Sequence, residues 1–147
     1  MNDNQPSLPF NLLASLPSET VSPEQIYHLL GEEGLTRLIS VFYRQVPQDD
    51  ILAPMYPEAD LAGAERRLRD FLIFRFGGPS HYIEQRGHPR LRMRHAPFPI
   101  DQSARDRWVS LMERAIDQAA FPASVAEALR AFFYDVATFL INRDASS

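Results

Sequence analysis

The sequence predicts an all-α domain, and two observations carry that reading. The long apolar patterns of this 147-residue chain repeat at helical spacing, and none alternates with period two. The 12 prolines and 6 glycines fall largely between those patterns, where they mark corners. A chain of this length makes one domain with a sizeable core but not two.

Residues 1–22, rich in Asn, Ser and Pro, read as a flexible extension with a small apolar cluster of Leu8, Phe10, Leu12, Leu13 and Leu16. Ser22-Pro23-Glu24 supplies an N-cap, a proline at the first helical position and an acid in the first turn. That combination opens a short helix to about Leu30. Leu35, Leu38, Ile39, Phe42, Tyr43 and Val46 then share one helical face, and Pro47 ends the pattern. A corner holding Tyr56 between Pro54 and Pro57 leads to a helix from about Glu58 to Phe76, stopped by Gly77. Asp101 opens another, striped by Trp108, Leu111, Met112, Ala115 and Ile116, and Phe121-Pro122 separates it from a last helix through Val125, Leu129, Phe133, Val136 and Leu140. Long amphipathic helices joined at such corners fit globin-type crossed packing or a bundle.

Composition excludes several classes. All 15 basic residues are arginine, against 19 acids, and with residues 1–36 carrying five acids and no base the body is nearly neutral. A nucleic-acid interface would show a basic excess, and the overall balance has none, the cluster of four arginines from Arg86 to Arg94 being a local exception. The chain has no cysteine, which removes disulfides, thiolate haem ligation and zinc-cysteine sites. No apolar run approaches a membrane span of about 18 residues. The first basic residue is Arg37 and Pro6, Pro9 and Pro17 interrupt the early apolar patch, so no secretory signal is expected and a cytoplasmic location is the default.

Between the paired glycines and Ile100 the chain reads GGPSHYIEQRGHPRLRMRHAPFPI. Pro89 and Pro97 bracket at most a turn or two of helix that presents His95, a candidate metal ligand or, more often for such a residue taken alone, a histidine satisfied in a crowded loop. His81, His88 and His95 recur every seven residues, yet Gly87 and Pro89 break the stripe that a three-histidine zinc site would need. Tyr43, Tyr56 and Trp108 are polar-tipped aromatics from three elements. They read either as core aromatics bonded to backbone or as donors converging on one cavity.

From about Gly31 to Asn142 the sequence resembles the group II truncated haemoglobins. VFYRQV (Val41–Val46), MYPEADLAGAERRLRDFL (Met55–Leu72) and the stretch from FGGP through RMRHAPF (Phe76–Phe98) carry the resemblance. It implies a truncated globin domain over 23–147, a two-over-two helical sandwich preceded by the extension, with haem b held by His95 as the proximal ligand. The same resemblance assigns Tyr43, Tyr56 and Trp108 to a distal pocket, with Tyr43 and Trp108 as donors to a bound ligand. Ala64 then stands where other globins place a distal histidine, with Leu68 one turn on. Arg67 and Arg94 suit the haem propionates, and Phe71, Tyr82, His88 and Met112 complete the expected cofactor contacts. Two positions depart from the family pattern: Leu30-Gly31 replaces adjacent glycines, and Phe76 replaces a tryptophan.

The leading function is reversible binding of O₂, and of CO or NO, at ferrous haem. Three donors around a ligand of partial negative charge would make O₂ release slow, which argues against bulk transport. A second reading is haem redox chemistry, such as NO dioxygenation or peroxide reduction, which requires a reductase partner and has no distal histidine as proton shuttle. A haem-based sensor ranks lowest, and homodimer formation is a further expectation.

Overall fold

The computed structural model describes residues 20–80 and 90–143. The described residues form five α-helices: α1 (Pro23–Gln45), α2 (Leu61–Arg75), α3 (Leu91–His95), α4 (Gln102–Ala119) and α5 (Ala123–Phe139). Short 3₁₀ turns at Val46–Gln48, Ala53–Met55 and Glu58–Asp60 make the corner between α1 and α2. No strand occurs among the described residues. Helix α1 packs against α2 and α4, and α4 packs on α5, which is the expected two-over-two sandwich. Residues 1–19 of the extension, Tyr82 and His88 lie outside the described residues.

The two helices expected from 23 to 30 and from 33 to 46 meet within α1 at Gly31, where the backbone leaves helical geometry with φ 71° and ψ 173°. A β-carbon there would meet nothing within 4 Å, so conformation alone demands glycine. Upstream, Ser22 and Gln25 close a capping box, the Ser22 amide donating to Gln25 Oε1 at 2.9 Å. Downstream of the kink, Leu35, Leu38, Ile39 and Phe42 are buried in the core with Leu72, Met112, Ile116 and Leu129. The helical face read from spacing is the face that packs.

Gly77 ends α2 with φ 93° and sits against the start of α1, where the Tyr27 amide donates to the Phe76 carbonyl at 2.9 Å. A β-carbon at Gly77 would collide with the Glu24 carbonyl oxygen, which belongs to a helix and cannot yield. Gly77→Ala should therefore destabilise the protein by about 2 kcal/mol or more, combining left-handed backbone strain with the clash. Urea unfolding measures it. An unchanged midpoint would show that the α1 start is free to move away.

Helix α3 has only five residues, too few to persist alone. The end of α5 holds it: Arg92 Nη1 donates to the Phe139 carbonyl at 2.6 Å, and the guanidinium lies 5.4 Å from the centre of the Phe139 ring. Helix α4 begins as predicted, with Asp101 Oδ1 accepting from the Ala104 amide at 2.9 Å. No helix among the described residues is long and apolar enough to cross a membrane.

Candidate functional site

All five helices contribute to a cavity of about 310 Å³, within the range of small-molecule sites. Helix α2 lines it with Ala64, Arg67, Leu68 and Phe71, α3 with Leu91, Arg94 and His95, and α5 with Phe133 and Val136. Tyr43 reaches it from α1, Tyr56 from the corner and Trp108 from α4. The walls are largely apolar. Nine of the twelve residues predicted from sequence thus meet at one place: His95, the three distal aromatics, Ala64, Leu68, Arg67, Phe71 and Arg94.

Met112 does not join them. It is fully buried in the core and absent from the cavity wall, although it sits four residues after Trp108 on the same helix. Tyr82 and His88 lie outside the described residues.

His95 Nδ1 lies 2.8 Å from the Leu91 carbonyl oxygen. A carbonyl only accepts, so Nδ1 carries the proton and Nε2 keeps its lone pair. The same bond fixes the ring's orientation, as it does for metal-bound imidazoles. Among the described residues no three His, Asp or Glu side chains converge to hold a metal ion. A single oriented nitrogen on an apolar wall suits a metal that brings its own planar macrocycle, and haem fits this donor set. Arg67 and Arg94 stand at the exposed edge, where guanidinium forks can meet carboxylates. Arg67 is steadied by Asp60, to which its Nη2 donates at 2.7 Å.

The aromatic cluster is bonded internally. Trp108 Nε1 donates to the Tyr56 hydroxyl at 3.2 Å, and Tyr43 donates to the Ala64 carbonyl at 3.3 Å, a long bond. The Tyr43 and Tyr56 rings meet edge to face at 5.7 Å. Phe42 at 5.0 Å and Phe133 at 5.7 Å hold the indole between them. Trp108 has one N–H, and it is spent on Tyr56. Tyr56, accepting on its oxygen, retains its own hydrogen to donate. Burial pushes the Tyr43 hydroxyl well above its ordinary pKa, reinforced by Tyr56 and Glu65. Burial also raises Tyr56, against the opposing bonds from Trp108 and Tyr43. Both hydroxyls therefore remain protonated donors at neutral pH.

Sequence reasoning missed the clasp that holds the Tyr56 corner on α4. Asp49 Oδ1 accepts from the Ile51 and Leu52 amides at 3.0 and 2.9 Å, while Oδ2 accepts from Arg107 Nη1 at 2.6 Å, one residue before Trp108. Burial alone would raise the Asp49 carboxyl, but Arg107 and the two amides outweigh it and hold it below the usual carboxylate range. A depressed folded pKa means that the carboxylate stabilises the fold above its unfolded pKa of about 3.9, and that this is lost as pH falls through the folded value. Asp49→Ala should cost about 1–2 kcal/mol at pH 7, chiefly through the two uncapped amides. In urea titrations the gap between variant and parent should close towards pH 3. A gap independent of pH would assign the cost to packing.

Arg105, also missed, lines the cavity as a buried cation. Its Nε and Nη2 donate to Thr138 Oγ1 at 3.0 and 2.9 Å and its Nη1 to Asp106 at 2.6 Å, so it struts α4 against α5.

A model of the bacterial-like globin family matches residues 25–142. Group 2 truncated hemoglobin YjbI of Bacillus subtilis is 40% identical over 103 residues, covering 70% of this chain and 77% of that protein. Among solved structures, the thermostable hemoglobin from the actinobacterium Thermobifida fusca is 47% identical with a TM-score of 0.76, over 80% of this chain and 97% of its own. The truncated oxygen-avid haemoglobin from Bacillus subtilis is 36% identical with the same TM-score of 0.76, over 80% and 99%. Family match, identity and shared fold agree: the chain belongs to the bacterial-like globins, as a group II truncated haemoglobin.

Proposed function

We propose that this globin binds haem b through His95 and holds O₂, and other diatomics such as CO and NO, beside Tyr43, Tyr56 and Trp108. The observation that carries the reading is the meeting, around one apolar cavity, of an imidazole with an uncommitted Nε2 and three polar-tipped aromatics. Haem, when bound, supplies the ferrous iron to which a diatomic ligand attaches. His95 offers the proximal nitrogen, oriented by Leu91. Arg67 and Arg94 pair with the propionates, Arg67 keeping donors to spare beyond its bond to Asp60. Leu68 and Phe71 exclude water from the cofactor's face, and Ala64 leaves room on the distal side.

Polar selectivity follows from the aromatics. Tyr56 donates directly, polarised by the Trp108 N–H on its oxygen, and Tyr43 can exchange its long bond to Ala64 for one to the ligand. Such donors favour O₂, a ligand of partial negative charge, over CO. The oxygen-avid relative of Bacillus subtilis supports the same direction.

Titrating the haem-free chain with haemin tests the reading. Saturation at one haem per chain with a Soret band, and after reduction distinct spectra under O₂ and CO, is the expected result. A chain that takes up no haem would leave only the fold in common with globins.

A further inference from the structure

The Asn142 side chain lies beyond the end of α5 and yet every polar atom it has is used on one stretch, residues 95–100. Its Nδ2 donates to the His95 carbonyl at 3.2 Å and to the Phe98 carbonyl at 3.0 Å, while its Oδ1 accepts from the Ile100 amide at 2.9 Å. The backbone amides of Asn142 and Arg143 add bonds to the Ile100 carbonyl at 2.8 and 3.1 Å. Two acceptors at one end and a donor at the other fix the amide's orientation without ambiguity. No other residue type of this length offers two donors and an acceptor in one plane.

The segment so gripped cannot hold itself. Helix α3 is a single short turn, Arg90 at its start is in the left-handed region with φ 44°, and Pro97 and Pro99 deprive the following stretch of amide donors. His95 is the last residue of that turn. Its Nδ1 donates to the Leu91 carbonyl within the turn, so the ring moves wherever the turn moves. The position of the turn relative to the cavity is set from outside, at one end by Arg92 on Phe139 and at the other by Asn142.

We infer that Asn142 is a positioning residue for the proximal ligand: its carboxamide fixes the backbone of His95 and thereby the height and tilt of the imidazole presented to iron. The inference rests on His95 being that ligand. It requires no contact between Asn142 and the cofactor. By thermodynamic reciprocity, a clamp that favours ligation is itself strengthened when the ligand is bound.

Two variants separate the roles of the carboxamide. Asn142→Ala removes the three side-chain bonds to residues 95–100, together with the acceptor for Arg143 Nη1. Asn142→Asp keeps the acceptor for Ile100 but loses both donors and sets a carboxylate against two carbonyls. In the haem-loaded protein both should release haem to an acceptor apoglobin at least about tenfold faster, as expected when two or more hydrogen bonds are lost. Both should also shift or broaden the iron–histidine stretching band in the resonance Raman spectrum of the ferrous form. Ile26→Val, a core truncation remote from the cavity, should lower stability and leave that band in place. A third arm needs no variant: hydrogen exchange at the Asn142 and Arg143 amides of the natural chain should slow at least severalfold on haem binding. A parent-like band and release rate in both variants, or exchange indifferent to haem, would overturn the inference. If instead His95→Ala keeps the parent spectrum, the ligand assignment itself has failed, whatever Asn142 does.

Discussion

His95→Ala should leave a folded chain that no longer retains haem. The substitution removes the one imidazole among the described residues that lines this cavity and leaves apolar contacts plus the arginines at the rim. Losing a residue that merely supports a metal ligand costs about 10–100-fold in affinity. Losing the ligand should exceed that, so haem transfer to a competing apoglobin should go to completion within the mixing and early reading of the experiment. Folding should survive: His95 is only half-buried and its Nδ1 bond is local to the α3 turn. His81→Ala, outside the expected cofactor contacts, serves as a control that keeps haem, because Gly87 and Pro89 separate it from the RMRHAPF segment. Added imidazole should restore a histidine-like spectrum to the variant by filling the vacated volume. A variant that keeps a five-coordinate histidine spectrum without imidazole would mean that another residue ligates iron.

The helices were legible because burial on one face writes a 3.6-residue period into the sequence, and α2, α4 and α5 follow it closely. His95 was legible for a different reason, since prolines isolate it and the family motif surrounds it. Periodicity could not tell a core-facing position from a cavity-facing one. Trp108 and Met112 lie one turn apart on α4, and both are apolar positions of one stripe, but the stripe is wide enough to bury Met112 in the core while Trp108 lines the cavity. The kink at Gly31 was anticipated only as a break, because glycine signals conformational freedom without specifying how the helix uses it. Asp49 with Arg107 and Asn142 with His95 were invisible. Their partners are separated by 58 and 47 residues, and polar contacts at that range follow from packing that leaves no local pattern.

Removing the distal donors should accelerate O₂ release, and the hydrogen-bond pattern dictates how the variants combine. Trp108 gives its only N–H to Tyr56, and Tyr56 keeps a hydrogen for the ligand. In Tyr56→Phe the indole N–H loses its acceptor and becomes free to serve the ligand itself, so part of the loss is recovered. In Trp108→Phe the aromatic wall between Phe42 and Phe133 persists and Tyr56 still donates, though less strongly. Each single variant should therefore raise the O₂ off-rate by about tenfold, the lower end for a bond to a charged acceptor. The double variant removes both the donor and its replacement. Its off-rate should rise more than the product of the singles, to well above a hundredfold, a coupling that a double-mutant cycle reads directly. Tyr43→Phe removes a hydroxyl held by a 3.3 Å bond to Ala64, but its ring packs on Tyr56 at 5.7 Å, so its effect should couple to those of the Tyr56 and Trp108 variants instead of simply multiplying with them. CO dissociation is the internal control, because CO accepts hydrogen bonds poorly and should change little across the series. If O₂ off-rates stay within about twofold in all three single variants, the aromatics serve packing alone and the cavity retains oxygen by other means. If the Tyr56 and Trp108 effects simply multiply, each donates to the ligand independently, and the bond between them is broken when the ligand binds.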